Sequence, residues 1–268
     1  MDNAAAITTI AQTLEDKPDV LALYLGGSFG VGLEDAYSDL DFVAVTTDGP
    51  TDAFASLWHD AVSRTGEIVL WWDRQAKPML INAVTAEWLR VDVQIATPAQ
   101  TAALSRNSLK VLFDHQGIYE RLPHSSGPRG SEPKRLKWQF EEFIRILGLL
   151  PLALGRAEYI NSVTGAFHLR NLLIDLLIEE TDAPNRGGAL HLNRLITAEQ
   201  KDLLAALPAL TPRREAIIPA YLAYAAAYLP RARALAVARG IAWPERFEQA
   251  TWARLKKELA IEPQSLNA

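Results

Sequence analysis

The chain has 268 residues, 49% of them hydrophobic, and a net charge of −5. That is enough apolar material for one large or two modest domains with real cores. It contains no cysteine, which excludes disulfides and thiolate metal sites and fits a reducing cytoplasm. The start lacks the basic region and apolar core of a signal peptide, and no run approaches the roughly 18 apolar residues that span a bilayer. A soluble, cytoplasmic protein with no membrane partner is therefore expected. Charge is unevenly placed: residues 1–130 hold 17 acids and 9 bases, and 131–268 hold 15 acids and 18 bases. An acidic first part argues against a long nucleic acid as the main partner, since such binding needs a basic footprint.

Residues 4–16 read as a helix and 20–25 as a short buried strand that runs into Leu25-Gly26-Gly27-Ser28. A short helix near 29–32 precedes a second apolar strand over 40–46, at whose start stand Asp39 and Asp41. Two apart on a strand, these acids point to the same face. Side by side they repel, and near a core they lose hydration, so a hard divalent cation between them is the arrangement that makes sense. Gly27 and Ser28 would let backbone N–H groups approach an anion, and a helix starting there would add its positive end. A phosphate chain bridged to metal suits both halves of the motif. Other phosphate motifs do not fit: from Gly30 and Gly32 a dinucleotide fingerprint would need glycine where Asp35 stands, and a P-loop would need lysine where Leu33 stands. A serine nucleophile at Ser28 is set aside because Gly27-Ser28-Phe29-Gly30 is read as lacking the glycine pattern of a nucleophile elbow and no histidine is near in the sequence.

Further along, a turn at 48–50 leads to a helix over 52–64, with Thr51 as its N-cap. Strands follow over 67–72, 78–84 and 88–95, the last an alternating run, Trp88-Leu89-Arg90-Val91-Asp92-Val93-Gln94-Ile95, that offers Asp92. Trp71 and Trp72 are adjacent on a strand, face opposite ways, and at least one belongs to the core. A strand-like run over 109–114 suits a sheet edge, and 124–131 has the composition of a linker. The fold class expected for this part is α/β (α+β), a small mixed sheet flanked by helices with several antiparallel neighbours. From about 133 on everything reads as helix. Phe140, Phe143, Ile144, Leu147 and Leu150 share one face, Phe167, Leu169, Leu172, Leu173, Leu176 and Leu177 make another buried face, and 220–238 and 244–259 supply two more helices. Asn185-Arg186-Gly187-Gly188 reads as a helix-ending loop. The expected division is 1–130 and 131–268, the second part an all-α bundle. His59, His115, His124 and His191 show no metal-ligand spacing.

The pattern Gly27-Ser28, a spacer of ten residues, then Asp39-Leu40-Asp41, followed later by Asp92 on another strand, resembles the nucleotidyltransferase superfamily typified by DNA polymerase beta. By average residue usage such a pattern arises by chance in roughly a few per cent of chains this long. An α/β part of this kind followed by a helical bundle of similar size is similar to the small-molecule branch, the aminoglycoside and lincosamide nucleotidyltransferases. Gly155-Arg156-Ala157-Glu158-Tyr159, taken as opening the second bundle helix, resembles a segment of that branch.

The resemblance implies transfer of a nucleoside monophosphate, AMP from ATP in the usual case, to a hydroxyl of a small molecule, with release of pyrophosphate. It implies that Asp39 and Asp41 hold one or two Mg²⁺ or Mn²⁺ ions, with Asp92 as a further ligand or as general base. Gly27 and Ser28 would grip the terminal phosphates, and Arg156, His168 and Arg170 are candidates to reach the triphosphate. Glu158 and Tyr159 are candidates to touch the acceptor. Nucleotidylation of a protein or RNA target remains open, as does a non-catalytic nucleotide-binding role, including that of a toxin-antitoxin component.

Overall fold

The computed structural model describes residues 1–74, 79–124, 130–183 and 191–263. The Asn185-Arg186-Gly187-Gly188 loop and most of the linker expected over 124–131 lie outside the described residues. Contacts divide the chain into two units, Met1–Gly127 and Pro128–Ala268. Among the described residues no helix is long and apolar enough to cross a membrane.

The first unit comprises α1 (Asn3–Glu15), β1 (Val20–Leu25), α2 (Gly27–Gly30), β2 (Leu40–Thr46), α3 (Asp52–Ser63), β3 (Ile68–Arg74), β4 (Met79–Thr85), β5 (Arg90–Ala96) and β6 (Lys110–Asp114). Its sheet runs in the order β3-β4-β5-β2-β1-β6. Only the β2–β5 pair is parallel; the other neighbours are antiparallel. It is a mixed α/β sheet, as the strand pattern leads one to expect. The two long helices start on side-chain caps: Asp2 accepts from the Ala5 N–H at 2.8 Å and Thr51 from the Phe54 N–H at 3.1 Å, each satisfying an otherwise unpaired donor.

One face of the sheet is sealed by these helices. Ile10 and Leu14 of α1 and Phe54, Trp58 and Val62 of α3 form one cluster with Leu40, Phe42, Val91 and Val93. Trp58 meets the edge of Phe42, with ring centroids 5.2 Å apart. A smaller cluster, in which Leu109, Ile118 and Leu122 pack on Tyr24, Val43 and Val45, covers the other face over β1 and β2. The edge strand β6 is held there by Asp114, which accepts N–H bonds from Gln116, Ile118 and Tyr119 and the hydroxyl proton of Tyr24. Because odd and even strand positions go to opposite faces, burial of Leu40, Phe42, Val91 and Val93 under the helices sends Asp41 and Asp92 to the second face.

The second unit is helical: α4 (Pro133–Gly148), α5 (Leu150–Gly155), α6 (Tyr159–Thr181), α7 (Leu192–Leu195), α8 (Ala198–Ala206), α9 (Arg214–Ala238) and α10 (Glu245–Leu259). Its core is one cluster in which Phe143 of α4 stacks on Tyr228 of α9 at 3.8 Å. Helix α10 is fastened by the buried Glu248, whose carboxylate accepts from the Trp243 and Trp252 indole N–H groups and from Arg233. Three expectations are corrected here. Helices α7 and α8 were not foreseen, being short and weakly periodic. Phe167, assigned to a buried face, is 56% exposed, because Ala166 and Leu169 on either side of it take the inward positions of α6. The segment from Gly155 to Tyr159 does not open a helix but turns a corner between α5 and α6, with Ala157 at φ 55°.

Candidate active site

The site is built at the end of the sheet where β1 finishes and β2 and β5 begin. After Leu25 the chain turns sharply, with the Gly26 N–H donating to the Asp41 carbonyl at 2.8 Å. Gly27 lies at φ +52°, and a Cβ there would stand 1.9 Å from Asp41 Oδ2. Glycine is thus required twice over, by a left-handed backbone and by the carboxylate pressed against it. Gly30 is fixed in the same way by the Ser108 carbonyl, which a Cβ would approach to 2.1 Å. Helix α2 spans four residues, so the helix dipole expected to assist anion binding is absent here; what remains is the close approach of backbone and hydroxyl.

Gly26-Gly27-Ser28-Phe29-Gly30 carries glycines two before and two after the serine, so the sequence alone does not dismiss a nucleophile elbow. The structure does. Ser28 Oγ is buried without a hydrogen-bond partner, so no base is in place to activate it. Its hydroxyl is left free to donate.

The parallel register sets Asp41 directly beside Asp92, and Asp92 in turn faces Asn82 and Asn82 faces Trp72 across β4 and β3. A row of four strands thus carries Trp72, Asn82, Asp92 and Asp41 on one face. Burial, then Asp39, then Asp92 push the Asp41 carboxyl up to about 6, with Arg90 opposing. Asp92 is also raised, mainly by burial; side-chain hydrogen bonding from Asn82 and the charges of Arg90 and Arg74 pull it back, while Asp39 adds to the rise. Three carboxylates therefore act on one another at this point of the sheet. Asp39, at the edge of the group, is paired with Arg90, Nη1 to Oδ2 at 3.3 Å.

The donor set is all oxygen, which suits Mg²⁺ or Mn²⁺ rather than a softer ion. The mutual repulsion, the cradle at Gly27 and the orphaned Ser28 hydroxyl all fit a cation carrying phosphate. As the side chains stand, however, no three His, Cys, Asp or Glu among the described residues are gathered closely enough to hold a metal ion. Asp39 is engaged instead by Arg90, a cation the chain supplies itself.

Two residues of this face, Arg90 and Asn82, escaped the sequence reading. They belong to no motif, and only the alternation of β4 and β5 could have put them beside Asp92. Trp72 is half exposed with the Arg74 guanidinium 5.2 Å over its ring, whereas Trp71 turns to the helix side against His59. Arg156 and Arg170 belong to the helical unit. Arg156 caps α5 and, with Glu158, His168 and the buried Tyr221, lines a cavity of about 380 Å³; Arg170 is exposed on α6. Neither has a carboxylate partner among the described residues.

No family model and no curated protein matches this chain. Among solved structures it is similar to an aminoglycoside 6-adenyltransferase from Bacillus subtilis, at 11% identity over 93% of this chain and 95% of that one, with a TM-score of 0.44. It is also similar to a spectinomycin adenyltransferase from Enterococcus faecialis solved with ATP and spectinomycin, at 12% identity, 87% and 100% coverage and a TM-score of 0.34. A CCA-adding enzyme in its apo form gives 14% identity, 97% of this chain and 66% of that one, and a TM-score of 0.34. At these identities and TM-scores the likeness assigns neither an activity nor an acceptor to this chain.

Proposed function

We propose that this chain is a metal-dependent nucleotidyltransferase that moves a nucleoside monophosphate, AMP from ATP, to a hydroxyl of a small molecule. The observation that carries the reading is the pairing of Asp41 with Asp92 on the second sheet face, with the Gly27 backbone pressed on Asp41. In the reaction the acceptor oxygen forms a bond to the α-phosphorus, the bond from that phosphorus to the bridging oxygen breaks, and pyrophosphate leaves. Gly27 and Ser28 would hold phosphate oxygens, Ser28 by donating its hydroxyl, which has no partner within the chain. Asp39, Asp41 and Asp92 would hold Mg²⁺ or Mn²⁺, which when bound neutralises the triphosphate and orients its α-phosphate. Asp92, next to Asp41 and steadied by Asn82, is the group to take the acceptor's proton or complete the metal site. Arg90 must release Asp39 for a full ligand set, so its side chain belongs to the machinery.

The acceptor class proposed is a hydroxylated antibiotic of aminoglycoside or related type. The test is incubation with ATP labelled at the α-phosphate, Mg²⁺ and a panel of such antibiotics including spectinomycin. Label should move to an acceptor with equimolar pyrophosphate, and Asp92→Asn should lower turnover at least about 100-fold. Near-normal turnover in that variant removes Asp92 from the site, and absence of transfer to any hydroxyl compound or protein sinks the reading. The Arg90–Asp39 pair favours a second reading, a nucleotide-binding module that does not catalyse. It requires ATP to bind with chelator present, and the same preparation decides it.

A further inference from the structure

The cavity of about 380 Å³ that Arg156 and Glu158 line is formed wholly within the helical unit, where α4, α5 and α6 converge. Its floor is apolar: Ile146 from α4, Leu149 where α4 passes into α5, and Leu152 and Ala153 of α5. Leu149 and Leu152 keep 37% and 38% of their surface in solvent. Apolar side chains left open at the bottom of a hollow gain free energy when something apolar covers them.

The charged part of the wall stands at the corner between α5 and α6. There the Glu158 N–H donates to the Ala153 carbonyl at 2.8 Å and the Ala157 N–H to the Leu154 carbonyl at 3.2 Å, with Ala157 left-handed at φ 55°. This pair of bonds closes a helix end and fixes the backbone on both sides of residue 157, so the side chains of Arg156 and Glu158 start from set points. Among the described residues neither forms an ion pair, with the other or elsewhere. Glu158 accepts one bond, from the Asn161 amide to Oε2 at 2.9 Å, which leaves its other oxygen. The remaining acid and base of the wall, Glu142 and Arg145, satisfy each other through two bonds of 2.7 Å. The hollow thus offers one unmatched cation and one unmatched anion above an apolar floor.

We propose that this cavity binds a free α-amino acid with an apolar side chain, held as its zwitterion. The carboxylate is taken by the Arg156 guanidinium, whose parallel N–H groups match two oxygens, the ammonium donates to Glu158, and the side chain covers Leu149 and Leu152. The volume lies near the lower end of the roughly 300–1,000 Å³ of ligand pockets, which suits a single amino acid. A triphosphate in the same hollow would face the Glu158 carboxylate, and an amine without an acid would leave Arg156 unmatched. The inference therefore gives these two residues a ligand other than those the family resemblance implied, and it stands whether or not the chain transfers nucleotides.

The test is ligand-observed NMR titration of the full chain with L-leucine and L-phenylalanine, each beside two truncated probes. The probes 4-methylpentanoate and 3-phenylpropanoate lack the ammonium; 3-methylbutylamine and phenethylamine lack the carboxylate. At least one amino acid should bind the wild type at least tenfold more tightly than both of its truncated forms. Failure of both amino acids to bind, or equal binding of an acid or amine probe, overturns the proposal without recourse to any variant. Arg156→Gln should weaken the amino acid at least tenfold and abolish its advantage over the amine, and Glu158→Gln should abolish its advantage over the acid. Advantages that survive these substitutions place the ligand elsewhere and reject the site. Displacement of the amino acid by 2-deoxystreptamine, which has no carboxylate, would make the hollow an amine site and reject it too. MgATP affinity, read in the same proteins, should be unchanged; a tenfold loss in Arg156→Gln returns that residue to the triphosphate and overturns the assignment.

Discussion

Asp41 is the residue on which the site turns, and its cost to the folded chain is measurable. Its folded-state carboxyl is pushed up to about 6 by burial and by Asp39 and Asp92, against an ordinary value of 3.8 in the unfolded chain. Between those values the folded state binds more protons than the unfolded one, so stability contributed by this group is present at low pH and lost as pH rises through about 6. Asp41→Asn removes the penalty. In chelator at pH 8 the variant should be more stable than wild type by roughly 1 kcal/mol, the shift being discounted for the solvent that still reaches the carboxylate. The difference should vanish near pH 4. Urea titrations at the two pH values check this, and a variant less stable than wild type at pH 8 would show that Asp41 serves the fold. Nucleotidyl transfer should be abolished in the same protein.

At the scale of elements, the contact between α6 and α9 reverses a familiar rule. Glycine inside a helix ordinarily costs about 1 kcal/mol against alanine, so Gly165→Ala would be expected to stabilise α6. Here a Cβ at 165 would stand 2.2 Å from the Tyr221 hydroxyl, which is buried and donates to the Ser162 carbonyl at 2.9 Å. Gly165→Ala should therefore lose about 1–3 kcal/mol through overpacking and a broken hydrogen bond. Tyr221→Phe removes the colliding oxygen, so the double variant should recover part of that loss. Denaturant unfolding of the two single variants and the pair measures the coupling; additive losses would mean that the helices do not meet through these two residues.

For the whole molecule, the electrostatic arrangement predicts how ligand and stability are linked. A triphosphate brought to Asp39, Asp41 and Asp92 without a cation meets three like charges, whereas with Mg²⁺ or Mn²⁺ it is drawn in. ATP should raise the melting temperature only with the divalent ion present, by an amount that grows with the logarithm of ligand concentration above Kd. Equal stabilisation in excess chelator would reject the metal-bridged site and favour the non-catalytic reading that the Arg90–Asp39 pair suggests.

The sequence by itself determined what depends on near neighbours. Alternation along a strand put Asp39 and Asp41 on one face, the glycines marked a turn with close backbone approach, Thr51 capped its helix, and the change in apolar period from two to nearly four near residue 133 marked the passage from sheet to bundle. Each of these is a local consequence of backbone geometry and side-chain shape. Other features came only with tertiary structure, because they depend on which strand lies beside which and in what register. Asp92 stands 51 positions after Asp41 and meets it because β2 and β5 run parallel with those two residues abreast. The same register brought Asn82 to Asp92, and strand pairing decided which of Trp71 and Trp72 went to the helices. Arg90 reached Asp39 through the fold of the hairpin, and Trp88, read as the first residue of a strand, became the left-handed closure of a turn. A one-residue slip would have sent all of these side chains to the opposite face, and the packing of Leu40, Phe42, Val91 and Val93 under α1 and α3 forbids that slip.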